Sequence, residues 1–200
     1  MSQDEGFSSW FERHWPKSLV PVAVGFMVVL PVVFSGLSAA TFFAILFIPL
    51  VLLHQYEEHA GDRGRSFVNR LAGPPSPAAA ALTPRLMLLF AALGVWLPAF
   101  ATPILTSFGA AALIAVAAVV AGVEVVLHLI GWVLSGRPSP GMRTALILLV
   151  PFSVLAFGAA QTAGAVEAHY LAALLVALAP RIAALGIVLG RRSRLIAQAA

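Results

Sequence analysis

Six continuous apolar runs, each near the ~20 residues that a helix needs to cross a bilayer, limit what this chain can fold into. They cover residues 18–36, 38–57, 84–102, 107–134, 142–162 and 168–190. Soluble domains draw roughly 45–50% of their residues from the apolar set. Here the share is 60%, with only one residue in ten charged, which leaves no polar surface for a water-facing fold. The expected fold is all-α: one polytopic membrane bundle of six transmembrane helices over residues 18–190.

The basic residues supply an independent count of the spans. Arg13 and Lys17 precede the first run; Arg63, Arg65, Arg70 and Arg85 lie between the second and third. Arg137 and Arg143 separate the fourth from the fifth, and Arg191, Arg192 and Arg194 follow the sixth. The other three connections carry none, and of the 12 Lys and Arg only Arg181 falls more than one turn inside a span. Basic loops on alternate sides predict both termini in the cytoplasm. On this basis residues 1–17 form a cytoplasmic N-terminal segment without a cleavable signal peptide. Residues 61–83 form an irregular cytoplasmic loop around Gly73-Pro74-Pro75-Ser76-Pro77, and residues 191–200 a basic tail.

The net charge of +4 is therefore a topology signal, and no interleaving of basic and aromatic residues suggests a nucleic-acid partner. Membrane lipids are the expected partners, through anionic headgroups at the basic loops. The chain has no Cys, so disulfides, thiolate catalysis and thiolate metal sites are excluded. Any metal must bind through His and carboxylate.

Ionisable groups inside spans are costly and mark function. The second run ends in His54-Gln55-Tyr56-Glu57-Glu58. Helical spacing of three and four puts His54, Glu57 and Glu58 on one face, with Tyr56 and His59 pointing away. Pro49, just over one turn earlier, is placed to aim the motif. The fourth run carries Glu124 and His128, again four apart. Counting 1.5 Å per residue from the basic ends puts both motifs in one leaflet. Two His with two or three carboxylates suit zinc, iron or manganese. The expected ligands are His54, Glu58 and His128, with Glu57, Glu58 and Glu124 as candidate catalytic carboxylates, all lining one cavity open to the cytoplasmic leaflet. The alternative is that each His neutralises a Glu on its own helix.

Arg181 lies at about the depth of Glu124. It is either that residue's ion-pair partner or a bidentate anchor for a substrate anion. Glu167 and His169 read as a hydrated pair at the far interface, and His14 and His59 as exposed. Pro16 falls at the start of the first helix, where its missing N–H costs little.

His54-Gln55-Tyr56-Glu57-Glu58, followed by His128 and by Pro140-Gly141-Met142-Arg143-Thr144-Ala145, resembles the HXXEE-motif family of bacterial integral membrane proteins over roughly residues 40–190. Glu124 stands where many relatives are expected to have Asn. The stretch Gly136-Arg137-Pro138-Ser139 lacks the aromatic residue expected before Pro-Gly. The resemblance implies a multi-pass protein of the bacterial cytoplasmic membrane with a His/Glu site, and no particular reaction.

The expected function is a membrane-embedded enzyme acting on a lipid or other small apolar substrate, either as a metal-dependent hydrolase or as an acid–base isomerase. A proton- or metal-coupled transporter is the alternative, and a non-catalytic membrane subunit the third. Gly-rich phosphate loops and Ser-His-Asp groupings are not evident.

Overall fold

The computed structural model describes residues 7–71 and 81–199. Every regular element among them is helical, and six helices are long and apolar enough to cross a membrane. The elements are α1 (Phe7–Val33), α2 (Ala39–His59), α3 (Arg63–Leu71), α4 (Pro84–Ser107), α5 (Ala111–Ser135), α6 (Met142–Thr162) and α7 (Glu167–Ala199). All but α3 are the candidate spans. The Gly73–Pro77 stretch lies outside the described residues.

Four boundaries differ from expectation, the first two for a local reason. Helix α1 starts at Phe7 instead of residue 18, so Pro16 sits inside it. The N-terminal turns are held by packing, with Trp15 buried against Leu19, Leu52 and Ala91. The 61–83 connection is not irregular throughout, because Arg63–Leu71 forms α3. Gly61 and Asp62, both at positive φ, turn the chain out of α2, and the Asp62–Arg65 ion pair closes the first turn of α3. Asn69 then clamps Leu82 by two 3.0 Å bonds, giving its amide N–H to the Leu82 carbonyl and accepting from the Leu82 N–H. Helix α4 runs on through the expected 102–106 loop to Ser107, and α7 continues past residue 190.

Proline shapes α4 and α6 in the same way. It lacks an N–H and its ring crowds the carbonyl four residues back. A single wide turn with i→i+5 bonding accommodates this. Such a turn covers Ala92–Trp96 ahead of Pro98, and another covers Ala145–Leu149 ahead of Pro151.

Helices α2 and α5 form the interior. One face of α2, with Phe47 and Val51, packs on Val120, Ala121 and Val125 of α5 and on Leu149 and Phe152 of α6. Phe47 and Phe152 stack at 5.1 Å. The small residues of α5 let helices approach closely, and Ser153 of α6 donates to the Ala118 carbonyl at 2.8 Å. The opposite face of α2, with Ile48 and Leu52, packs on α1 and α4. Val32, Val133, Ile147 and Leu175 project outward, exposed, as lipid-facing side chains do in a bundle whose outer surface is apolar.

Candidate metal centre

The buried face of α2 carries His54 to the α5–α6 connection. There the two imidazoles meet edge to face, with ring planes at 88° and Nε2 to Nε2 at 3.2 Å. His54 is 0% exposed and His128 6%. The rings fill the space between them, so the expected open cavity is replaced by direct contact. A Cβ on Gly141 would lie 2.9 Å from His128 Cε1 and 3.0 Å from His54 Cε1. Gly141 also has φ +87°, where an L side chain is strained. Only glycine fits this position.

The other ring nitrogens are held by hydroxyls. Thr144 Oγ1 lies 2.7 Å from Glu57 Oε2 and 3.0 Å from His54 Nδ1. A hydroxyl has one hydrogen, and a carboxylate can only accept. Thr144 therefore donates to Glu57 and accepts from the Nδ1–H of His54. At Ser139 the hydroxyl donates to the His128 carbonyl at 3.1 Å and accepts from the Nδ1–H of His128 at 2.8 Å. With both Nδ1 atoms used as donors in this way, the Nδ1–H tautomer of each ring turns an Nε2 lone pair towards the other. This is how protein acceptors fix the tautomer of a metal-binding His.

Glu58 completes the group. Its Oε2 lies 3.9 Å from His54 Nε2 and accepts from Gln55 Nε2 at 3.1 Å. One ligand atom from each of His54, Glu58 and His128 lies within 4.8 Å of the others, close enough for the three to hold a metal ion.

The other expected carboxylates are engaged elsewhere. Residues three and four positions on from His54 lie on either side of it, about 100° apart round the helix. Glu58 stays with the imidazoles, while Glu57 turns to α6. It accepts from the Thr144 N–H at 2.8 Å as well as from the hydroxyl, capping N–H groups that the first turn of a helix leaves without partners. Glu124 is paired with Arg181 and buried. The ion-pair alternative for Arg181 is thus the one observed, and the guanidinium also donates to the carbonyls of Ala177 and Gly94.

His59 departs from expectation. It is buried instead of exposed, with Nε2 3.4 Å from Glu58 Oε2 and its ring 5.1 Å from that of Trp15. The extension of α1 brings Trp15 there. Tyr56 points away, half exposed. His14 is partly exposed and donates to the Trp10 carbonyl at 2.8 Å. His169 accepts from the Val166 N–H at 3.1 Å in place of pairing with Glu167.

Ser139 and Thr144 were not among the expected site residues. The signal for Thr144 was the Pro140–Thr144 stretch, whose glycine and hydroxyl both meet the imidazoles; Ser139 lies just ahead of it.

No curated protein and no solved structure matches the chain. A family model described as a protein of unknown function with HXXEE motif matches residues 45–156, which include α5, most of α6 and every residue of the His–Glu group. The chain belongs to the HXXEE family.

Proposed function

We propose that His54, Glu58 and His128 bind a divalent metal (zinc, iron or manganese) in a membrane-embedded enzyme acting on a lipid or other apolar substrate at the cytoplasmic leaflet. The observation that carries this is the pair of Nε2 atoms facing each other at 3.2 Å, beside a carboxylate, with both Nδ1 atoms taken up by the hydroxyls of Thr144 and Ser139. The two Nε2 lone pairs of that tautomer repel, and a shared cation turns the repulsion into binding. Neutral imidazole and carboxylate are suitable donors for these metals.

A metal in such a site lowers the pKa of bound water and polarises carbonyl groups. Glu58 is the carboxylate positioned to move a proton there. Its contacts with Gln55, His54 and His59 all converge on Oε2, while Glu57 and Glu124 are held by Thr144 and Arg181. Their roles are to position α6 and to join α5 to α7. The transporter alternative finds less support. Beyond Glu124 the buried face of α5 continues through Ala121, Val120, Ala118, Ala117, Ala115 and Ile114, a stretch with no ionisable group to carry an ion across.

Elemental analysis of detergent-purified protein tests the proposal. One equivalent of metal is expected in the wild type and a loss in H54A and H128A. Wild-type protein that stays metal-free after incubation with zinc, iron and manganese would overturn it.

A further inference from the structure

The basic end of the bundle holds a cavity of about 280 Å³, at the lower edge of the roughly 300–1,000 Å³ of pockets that take a whole small ligand. Three parts of the chain enclose it. Helix α1 supplies Glu12 and Trp15, which share a face at a spacing of three. The turn out of α2 and the first turn of α3 supply His59, Asp62 and Arg65, and the start of α4 supplies Met87. Glu12 belongs to the helical turns that α1 adds ahead of residue 18.

The wall carries charge of both signs, and part of each sign is left over for a ligand. Asp62 is paired with Arg65. A guanidinium has five N–H groups. Three of those on Arg65 are directed at Asp62 and, across 3.4 Å, at the Leu82 carbonyl, which leaves two. Glu12 is half-buried and has no ion-pair partner among the described residues. A ligand of one sign does not suit such a wall. An anion meets Glu12 and Asp62, and a cation meets Arg65 and Arg13, which also lines the cavity. A ligand with a cation and an anion a few bonds apart satisfies both sides.

We infer that this cavity binds the zwitterionic headgroup of a phospholipid, an ammonium joined to a phosphate, with Glu12 taking the ammonium and Arg65 the phosphate. Guanidinium N–H groups match phosphate oxygens in geometry as well as charge. Trp15 and Met87 give the cavity an apolar side for the part of the lipid that leaves the headgroup. One side chain separates the cavity from the His–Glu group: His59 lines it, and the Nε2 of His59 lies 3.4 Å from Glu58 Oε2. A headgroup held here therefore anchors a lipid beside the candidate metal centre, which names the substrate class of the proposed enzyme. The inference rests on that proposal only for the word substrate. His54, Glu58 and His128 do not line the cavity.

The probes are three: dihexanoyl phosphatidylethanolamine, the anionic dihexanoyl phosphatidylglycerol, and the free headgroup glycerophosphoethanolamine. Calorimetric titration of each into delipidated, detergent-purified full-length protein reads the affinities. The zwitterionic lipid should bind about tenfold tighter than the anionic one, the usual worth of one hydrogen bond to a charged group. E12Q should stay monodisperse and lose that preference, and M87W, which fills the cavity, should weaken the binding of both lipids. Equal affinities in the wild type, or an unchanged preference in E12Q, would overturn the inference. Binding of glycerophosphoethanolamine as tight as that of the lipid would overturn the assignment to a phospholipid. The preference should be the same with and without added zinc. Metal-free protein that keeps it counts against the metal proposal alone, and metal-loaded protein that lacks it counts against this one.

Discussion

Arg181 donates to the Gly94 carbonyl across 3.3 Å, and Gly94 is the residue four positions before Pro98, which has no N–H to offer it. The guanidinium thus fills a gap that proline opens in α4 while neutralising Glu124 on α5. One side chain of α7 ties three helices together at the depth of the His–Glu group. Removing it strands a carboxylate in a buried position, which typically costs about 3–5 kcal/mol. R181M should therefore be strongly destabilised in detergent unfolding, and R181M/E124L should recover much of the loss. A double variant no better than R181M would show that the pair does not act as a unit.

Thr144 controls the His54 tautomer. T144V removes the acceptor for Nδ1–H and one donor to Glu57. Loss of such a supporting hydrogen bond typically weakens metal binding by about 10–100-fold. T144S keeps the hydroxyl and should bind nearly as the wild type, and S139A should weaken binding through His128 as T144V does through His54. Competition against a fluorescent chelator reads these affinities. Equal affinity for T144V and the wild type would remove the hydroxyl from the account of the site.

Gly141 sets the spacing of the two imidazoles. G141A adds a methyl 2.9 Å from the His128 ring and 3.0 Å from the His54 ring, inside ordinary contact with both, at a φ of +87°. Overpacking of this kind costs about 1–3 kcal/mol. The rings, which have less backbone to move than the turn has, should part, so metal affinity is expected to fall together with stability. G136A provides the control: Gly136 also has positive φ, yet a Cβ there would meet open space. It should lose stability and keep affinity. If the two variants behave alike, the contact with the imidazoles is not what Gly141 is for.

The His–Glu group was legible because helical spacing and depth from the basic ends are enough to bring His54, Glu58 and His128 to one level. The same depth count matched Arg181 with Glu124. What spacing could not show was the choice between neighbours that flank a face. Glu57 and Glu58 are equally close to His54 along the helix, and only the position of α6 decides that Glu57 becomes its cap. His59 was misjudged because its burial depends on Trp15, and Trp15 reaches it only when α1 begins at Phe7. The apolar run begins only at residue 18, and hydropathy alone does not register the packing of Trp15 that accompanies the earlier turns of α1. The six spans themselves were legible from hydropathy alone, since a membrane leaves helices little choice but to satisfy their own backbone.

The final prediction concerns orientation. The ends of α2 and α5 and the start of α6, which carry the His–Glu group, lie at the end of the bundle where Arg63, Arg65, Arg70, Arg85, Arg137 and Arg143 gather. The bias of Lys and Arg towards cytoplasmic loops then predicts the site in the cytoplasmic leaflet. Reporter fusions after Gly61 and Gly136 should read as cytoplasmic, and fusions after Gly36, Gly109 and Gly164 as external. Moving charge should move topology: neutralising Arg137 and Arg143 while adding two Lys near Gly109 should produce a mixed population. A uniform inversion of the wild-type pattern would place the His–Glu group in the outer leaflet. The substrate would then have to come from that side, and the cytoplasmic-leaflet part of the proposed function would fall even with the metal site intact.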